Sequence, residues 1–160
     1  MSASDHARLL TTIATVEGQE RALVFARFDN DDAWRLGCML VELAQKRDLA
    51  VTIDVRRGTQ QLFHAARPGT TPDNDSWVER KARVVERFGA SSHLVGLRSV
   101  AEGTTFAARH DLPFQQYTAV GGAFPVRVRD VGIVGTVTVS GLLPADDHAL
   151  IVEALRSFLA

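Results

Sequence analysis

The chain has little of several things. Among its 160 residues there is one cysteine, Cys38, so an internal disulfide framework and a cysteine-only metal cage are both excluded. Net charge is nearly absent, with 18 basic against 19 acidic side chains. That balance excludes a broad basic footprint for nucleic acid and an acidic solvating tail. No apolar run approaches the ~20 residues of a membrane span. The longest, Val131 to Val139, is interrupted by Gly132, Gly135 and threonines. Residues 1–20 have neither the basic start nor the apolar centre of a signal peptide, so the expected location is cytoplasmic. Lysine is scarcest of the charged types. Sixteen of the 18 basic residues are arginine, leaving only Lys46 and Lys81.

What is present is apolar material enough for one core. Hydrophobic residues make up 46% of the chain, which excludes disorder, and the length suits a single domain over 1–160. Leu9, Ile13 and Val16 predict a short helix over residues 4–17. Arg21 to Phe28 is short and apolar and reads as a strand. Asp29 to Asp32 supplies caps and negative charge for a helix reaching about Arg47. Leu49, Val51, Ile53 and Val55 alternate with Ala50, Thr52, Asp54 and Arg56, the period of a half-buried strand. Arg57-Gly58 turns it, and 59–66 returns as a hairpin partner.

The Pro, Gly and Asp content of 67–75 predicts a loop, followed by a helix over 76–88 with Gly89 behind it. Shorter helices are expected over 92–102 and 104–110. A closing hairpin pairs 123–129 with 133–140, and a last helix spans 144–159, with Pro144 and two aspartates in its first turn. Hairpins make antiparallel pairs, so the element order predicts an α+β fold: five strands in one antiparallel sheet, helices packed on it.

Lys81 is the residue out of place. Trp77, Lys81, Val84, Val85 and Phe88 share one face of the predicted helix, so a cation interrupts an apolar stripe. Such a lysine can meet a carboxylate or carbonyl of a ligand; the plainer reading is a stem covering Trp77 with its amine in water. Asn74 and Arg80 lie near the same helix end. Gly121, Gly122, Phe124 and Pro125 open the closing hairpin and Ser140-Gly141 leaves it, positions where a backbone can approach a ligand or simply turn. His148 follows Asp147 in a helix first turn, ordinarily an exposed polar position. Together Asn74, Trp77, Arg80, Lys81, Gly121, Gly122, Phe124, Pro125, Ser140, Gly141 and His148 form the candidate binding set.

No catalytic set is assembled. The phosphate-loop, dinucleotide, nucleophile-elbow and HExxH patterns are absent, and no histidines have metal-ligand spacing, so no metal is expected. Cys38 reads as a small buried hydrophobe and Ser91-Ser92 as a helix cap.

Residues 121–155 resemble the haem-degrading-domain family of GlcG-like and HbpS-like proteins. The motif is a GG-x-P strand, a turn, a G-x-x-G strand, then V-S-G and an acid opening the last helix. Here it is carried by Gly121, Gly122, Pro125, Gly132, Gly135, Val139, Ser140, Gly141 and Asp147. The resemblance extends over about residues 20–160. It implies a profilin-like α/β/α fold with a five-stranded antiparallel sheet and a homo-oligomer. It also implies haem or another tetrapyrrole as a candidate ligand; no axial ligand carries over by motif. Three readings follow: a cytoplasmic protein binding a small anionic ligand, an oligomeric adaptor without one, and, ranked last, an enzyme using Lys81 or His148 as acid or base.

Overall fold

The computed structural model describes residues 1–160. Helix α1 covers Ala3–Ala22, closed at its start by a reciprocal pair of bonds between Ser2 and Asp5. Helix α2 covers Asn30–Lys46, capped in the same way by Asp29 and Asp32. The hairpin strands are β1, Thr52–Arg57, and β2, Gln60–Ala66. Helices α3 (Pro72–Phe88), α4 (Ser92–Ala101) and α5 (Phe106–His110) follow. Strands β3 (Ala123–Val128) and β4 (Gly132–Ser140) form the second hairpin, and α6 (Pro144–Leu159) ends the chain.

The sheet is antiparallel, in the order β2-β1-β4-β3. It has four strands, not the expected five. The segment predicted as a first strand is split: α1 takes Arg21 and Ala22, and only Phe25 reaches the sheet, as one bridge to Val128 on the outer edge of β3. Helix α1 runs through Gly18, where an isolated glycine costs ~1 kcal/mol, because the residues after it are tied down. The Glu20 carboxylate accepts from the Ser91 amide at 2.8 Å, and the Gln19 side chain meets His148. Helix α3 also starts earlier than expected. Pro72 takes its first turn, Thr71 caps it, and the Asn74 side chain accepts from the Thr71 amide. Residues 67–70 form the expected loop, while Thr71 to Asp75, expected to continue it, are the cap and first turn of α3.

The two faces of the sheet differ in chemistry. Val51, Ile53, Val55, Val137, Val139, Phe124 and Val126 point one way. They pack against Leu36, Leu40 and Ala44 of α2 and Leu150, Ile151 and Leu155 of α6 as one continuous core. Cross-strand neighbours on the other face are Thr52 with Ser140, Asp54 with Thr138 and Arg56 with Thr136, all buried beneath α3. Arg56 grips Asp54 through two bonds and reaches Glu79 of α3, while His64 bridges Asp54 and Asp75 at 3.0 Å each. The hydroxyls of Thr52, Thr136 and Thr138 have no partner. A second, smaller apolar cluster joins Val16 of α1, Val84 of α3 and Leu94 and Val95 of α4.

Candidate functional site

Lys81 enters the polar layer from the middle of α3, only 2% exposed. Its Nζ donates to the carbonyls of Val139 at 2.6 Å and Gly121 at 3.2 Å, and to Asp147 Oδ2 at 3.2 Å. Three acceptors match the three N–H groups of an ammonium. Asp147 is itself fixed, since its other oxygen accepts from the Leu142 amide at 3.0 Å. Burial pushes the Lys81 amine down and the Asp147 carboxyl up, and each partner's charge opposes that drift in the other. The lysine neither snorkels to water nor extends into open space. It joins α3 to the end of β4 and the start of α6. Gly122 lies under the amine with φ +127°, and a Cβ there would collide with Nζ and the Val139 carbonyl.

A cleft of about 320 Å³ opens beside this junction. Six of the candidate residues line it: Asn74, Trp77, Lys81, Gly121, Ser140 and Gly141. The Asn74 amide donates to the Ser140 carbonyl at 3.4 Å, and Trp77 Nε1 to Asp73 at 3.2 Å, which orients the indole. Sequence reasoning did not assign Asp73, Val120, Leu142, Pro144 and Asp147 to this wall. Asp147 had a usable signal: a lysine buried on an apolar stripe demands a buried carboxylate, and the start of the last helix offers two.

The other candidates are placed elsewhere. Arg80 turns behind Trp77, its guanidinium 4.2 Å from that ring and 5.2 Å from the Phe114 ring. Gly122 sits below the lysine, out of the cleft. Phe124 is in the core facing α6, and Pro125 is buried within β3 opposite Thr136. His148 is 4% exposed rather than on a polar surface. Its ring lies 4.8 Å from His93 and 5.8 Å from Phe124, and Nε2 meets the Gln19 side-chain oxygen at 2.8 Å. The ring's other nitrogen, Nδ1, is buried and pairs with no other protein group. Burial, with a smaller contribution from His93, pushes the His148 imidazole down to about 3.

His93 is the residue that spacing could not mark. It lies on α4, half buried, at the wall of a second groove of about 290 Å³. Leu97, Val100, Phe106, Ala119 and Pro144 make that groove mostly apolar. Burial pushes the His93 imidazole down as well, so it is neutral. The groove and the cleft share Val120, Gly121 and Pro144, so the two concavities flank one ridge. Gly121 is required there, because a Cβ would meet the Pro144 carbonyl and approach His93. No group of three or more His, Cys, Asp or Glu side chains is gathered for a metal ion, and no helix is long and apolar enough to cross a membrane.

Sheet, helices and ridge define an α+β protein with two adjoining concavities where α3, α4 and the start of α6 meet. The chain belongs to the HbpS-like haem-degrading protein family, whose model matches residues 28–156. A UPF0303 protein of Streptomyces coelicolor is 59% identical over 148 residues, covering 92% of this chain and 94% of that one. The crystal structure of the Ybr137w protein superposes with a TM-score of 0.86 at 25% identity, covering 99% of this chain and 97% of that one. The PduOC:haem complex is alike in fold, with a TM-score of 0.69 at 17% identity over 81% of this chain and 94% of that one.

Two outcomes are expected. Lys81→Met leaves Asp147 buried and unpaired, and should lower unfolding free energy in urea by about 3–5 kcal/mol. Lys81→Met with Asp147→Leu should recover much of that loss. The second concerns pH. His148 has its folded value depressed to about 3 from its ordinary 6.5, so the unfolded chain binds the extra proton between those values. Its contribution is therefore present above pH 6.5 and is lost as pH falls, by at most about 1.4 kcal/mol per unit. Urea midpoints of wild type and His148→Gln, compared from pH 7 to 4.5, should show the flatter dependence in the variant.

Proposed function

We propose that the protein binds a flat, largely apolar small molecule bearing acidic groups, with haem or another tetrapyrrole as the leading candidate, across the ridge of Val120, Gly121 and Pro144. The observation that carries this reading is the pair of concavities flanking that ridge. Together they reach the size of a small-molecule site, roughly 300–1,000 Å³. The cleft contributes the Trp77 face and the polar edge of Asn74, Ser140 and Gly141. The groove contributes apolar walls and one neutral imidazole, His93.

Those residues fit the group. A neutral imidazole at the wall of an apolar groove is the form in which histidine ligates a metal. When bound, haem would supply the iron and its redox chemistry. His93 would supply a nitrogen, Leu97, Val100 and Phe106 would exclude water, and Trp77 would offer an aromatic face. In this reading Lys81 and Asp147 hold the cleft wall rather than meet the ligand's acids, because both are already engaged with each other, and the acids would face solvent at the open mouth, away from Asp73. The family and the haem-bound neighbour of like fold favour the tetrapyrrole over other flat anions.

The protein also self-associates in this reading and works in the cytoplasm as a homo-oligomer. Val100, Phe114 and Leu143 stand exposed around the two concavities, where a second copy would cover them. The same exposed side chains favour the alternative reading of an oligomeric adaptor that carries no small ligand.

Haemin titration separates the two. Binding predicts a saturable Soret band shifted from that of haemin with an inert protein. His93→Ala should weaken it by about tenfold or more. A spectrum identical to the inert control removes tetrapyrroles, and an unchanged His93→Ala titration removes the groove. Light scattering at micromolar concentration should give a mass above the 17.4 kDa chain, and a monomer rejects self-association.

A further inference from the structure

The largest concavity lies away from this ridge. It measures about 610 Å³, opens to solvent and is bounded by the end of α1, the end of α3, α4 and β3. Arg21, Arg98 and Arg127 line it together with Val24, Phe88 and Leu94. We propose that this cleft binds a small organic anion, a carboxylate, phosphate or sulfonate attached to an apolar body.

The charge arithmetic is local. Two carboxylates, Glu17 and Glu20, share the lining, and both are committed. Glu17 pairs with Arg98 at 2.8 Å. Glu20 is buried and turned into the start of α4, where it accepts from the Ser91 amide. Arg127 donates a single bond of 3.3 Å, to the Gly89 carbonyl, which leaves most of its five N–H groups free. Arg21, in the last turn of α1, is paired with no carboxylate. Two guanidinium groups thus face the cleft with spare donors, in the planar fork that matches an oxyanion.

The apolar part is fixed in advance. The Phe88 ring is held by an edge-on contact with Phe106 at 5.5 Å and a tilted one with His110 at 4.6 Å, so it is ordered before any ligand arrives. The arginines converge in a concavity rather than along a stripe, and the whole chain is one charge from neutral, which suits a small molecule and not a nucleic-acid backbone. The site is independent of the tetrapyrrole reading.

Anilinonaphthalene sulfonate, an apolar body carrying one sulfonate, is the probe. The native protein should enhance its fluorescence saturably. Arg21→Gln with Arg127→Gln should weaken it by about tenfold or more, and the paired Lys substitutions should restore part of the affinity. Arg21→Gln alone removes no ion pair, so it reports on binding even where the double variant unfolds, and it should weaken binding measurably. Phenylnaphthylamine, which lacks the sulfonate, should bind variant and wild type alike, and haemin titration of Arg21→Gln should match wild type. Absence of saturable enhancement, or equal affinity in wild type and Arg21→Gln, overturns the proposal.

Discussion

One buried ammonium group organises the end of the molecule that carries the ridge. Lys81 reaches from α3 to two backbone carbonyls and a carboxylate, and those acceptors belong to the residues before β3, the end of β4 and the first turn of α6. Removing two charges from water costs several kcal/mol each, and only full satisfaction of every donor and acceptor offsets it. Here the lysine has three acceptors, and Asp147 also takes the Leu142 amide. The pair therefore sets geometry more than it adds stability. It fixes where Gly121 and Gly141 run, and those glycines bound the cleft. Gly122 follows from the same constraint, because any Cβ at that position would occupy the space of the amine.

The lysine belongs to a wider arrangement. One face of the sheet meets α2 and α6 with valines, isoleucine and phenylalanine, and the other meets α3 with Thr52, Asp54, Arg56, Thr136 and Thr138. Every charge in that second layer has a partner, through Arg56 to Asp54 and Glu79 and through His64 to Asp54 and Asp75. Three threonine hydroxyls, of Thr52, Thr136 and Thr138, pair with no other protein group. The apolar face carries the stability of the fold, while the polar face holds α3 in one register over the sheet.

This division explains what could be read from the sequence. Alternation in Leu49 to Arg56 placed β1, and the two hairpins required antiparallel pairing. The closing motif from Gly121 to Asp147 marked the family, and with it the segment where cleft and ridge meet. Lys81 stood out because a cation on an apolar stripe is a local contradiction. Its partners were harder, since two are backbone carbonyls and carbonyls have no sequence signature. Asn74 was picked out for its place near Trp77, but its part in the cap of α3 was hidden by a composition that reads as loop. His93 was not picked out as a site residue. Its groove depends on how α4 packs against Pro144, a tertiary fact with no periodicity of its own.

The largest misreading was also local. Gly18 and the apolar run after it argue for a helix that stops and a strand that begins, yet α1 continues to Ala22. The two residues after that glycine show why. Gln19 holds His148 and Glu20 closes the start of α4, while Arg21 beyond them lines the largest cleft. Glu17, one residue before the glycine, pairs with Arg98. Tertiary bonds of this kind outweigh the ~1 kcal/mol that a glycine costs a helix. The extra turn of α1 lies outside the span that the family model matches, residues 28–156. It nevertheless supplies a polar partner to the histidine stack beside one concavity and a guanidinium to another. The end of α1 is thereby coupled to both, through side chains whose placement no local propensity dictates.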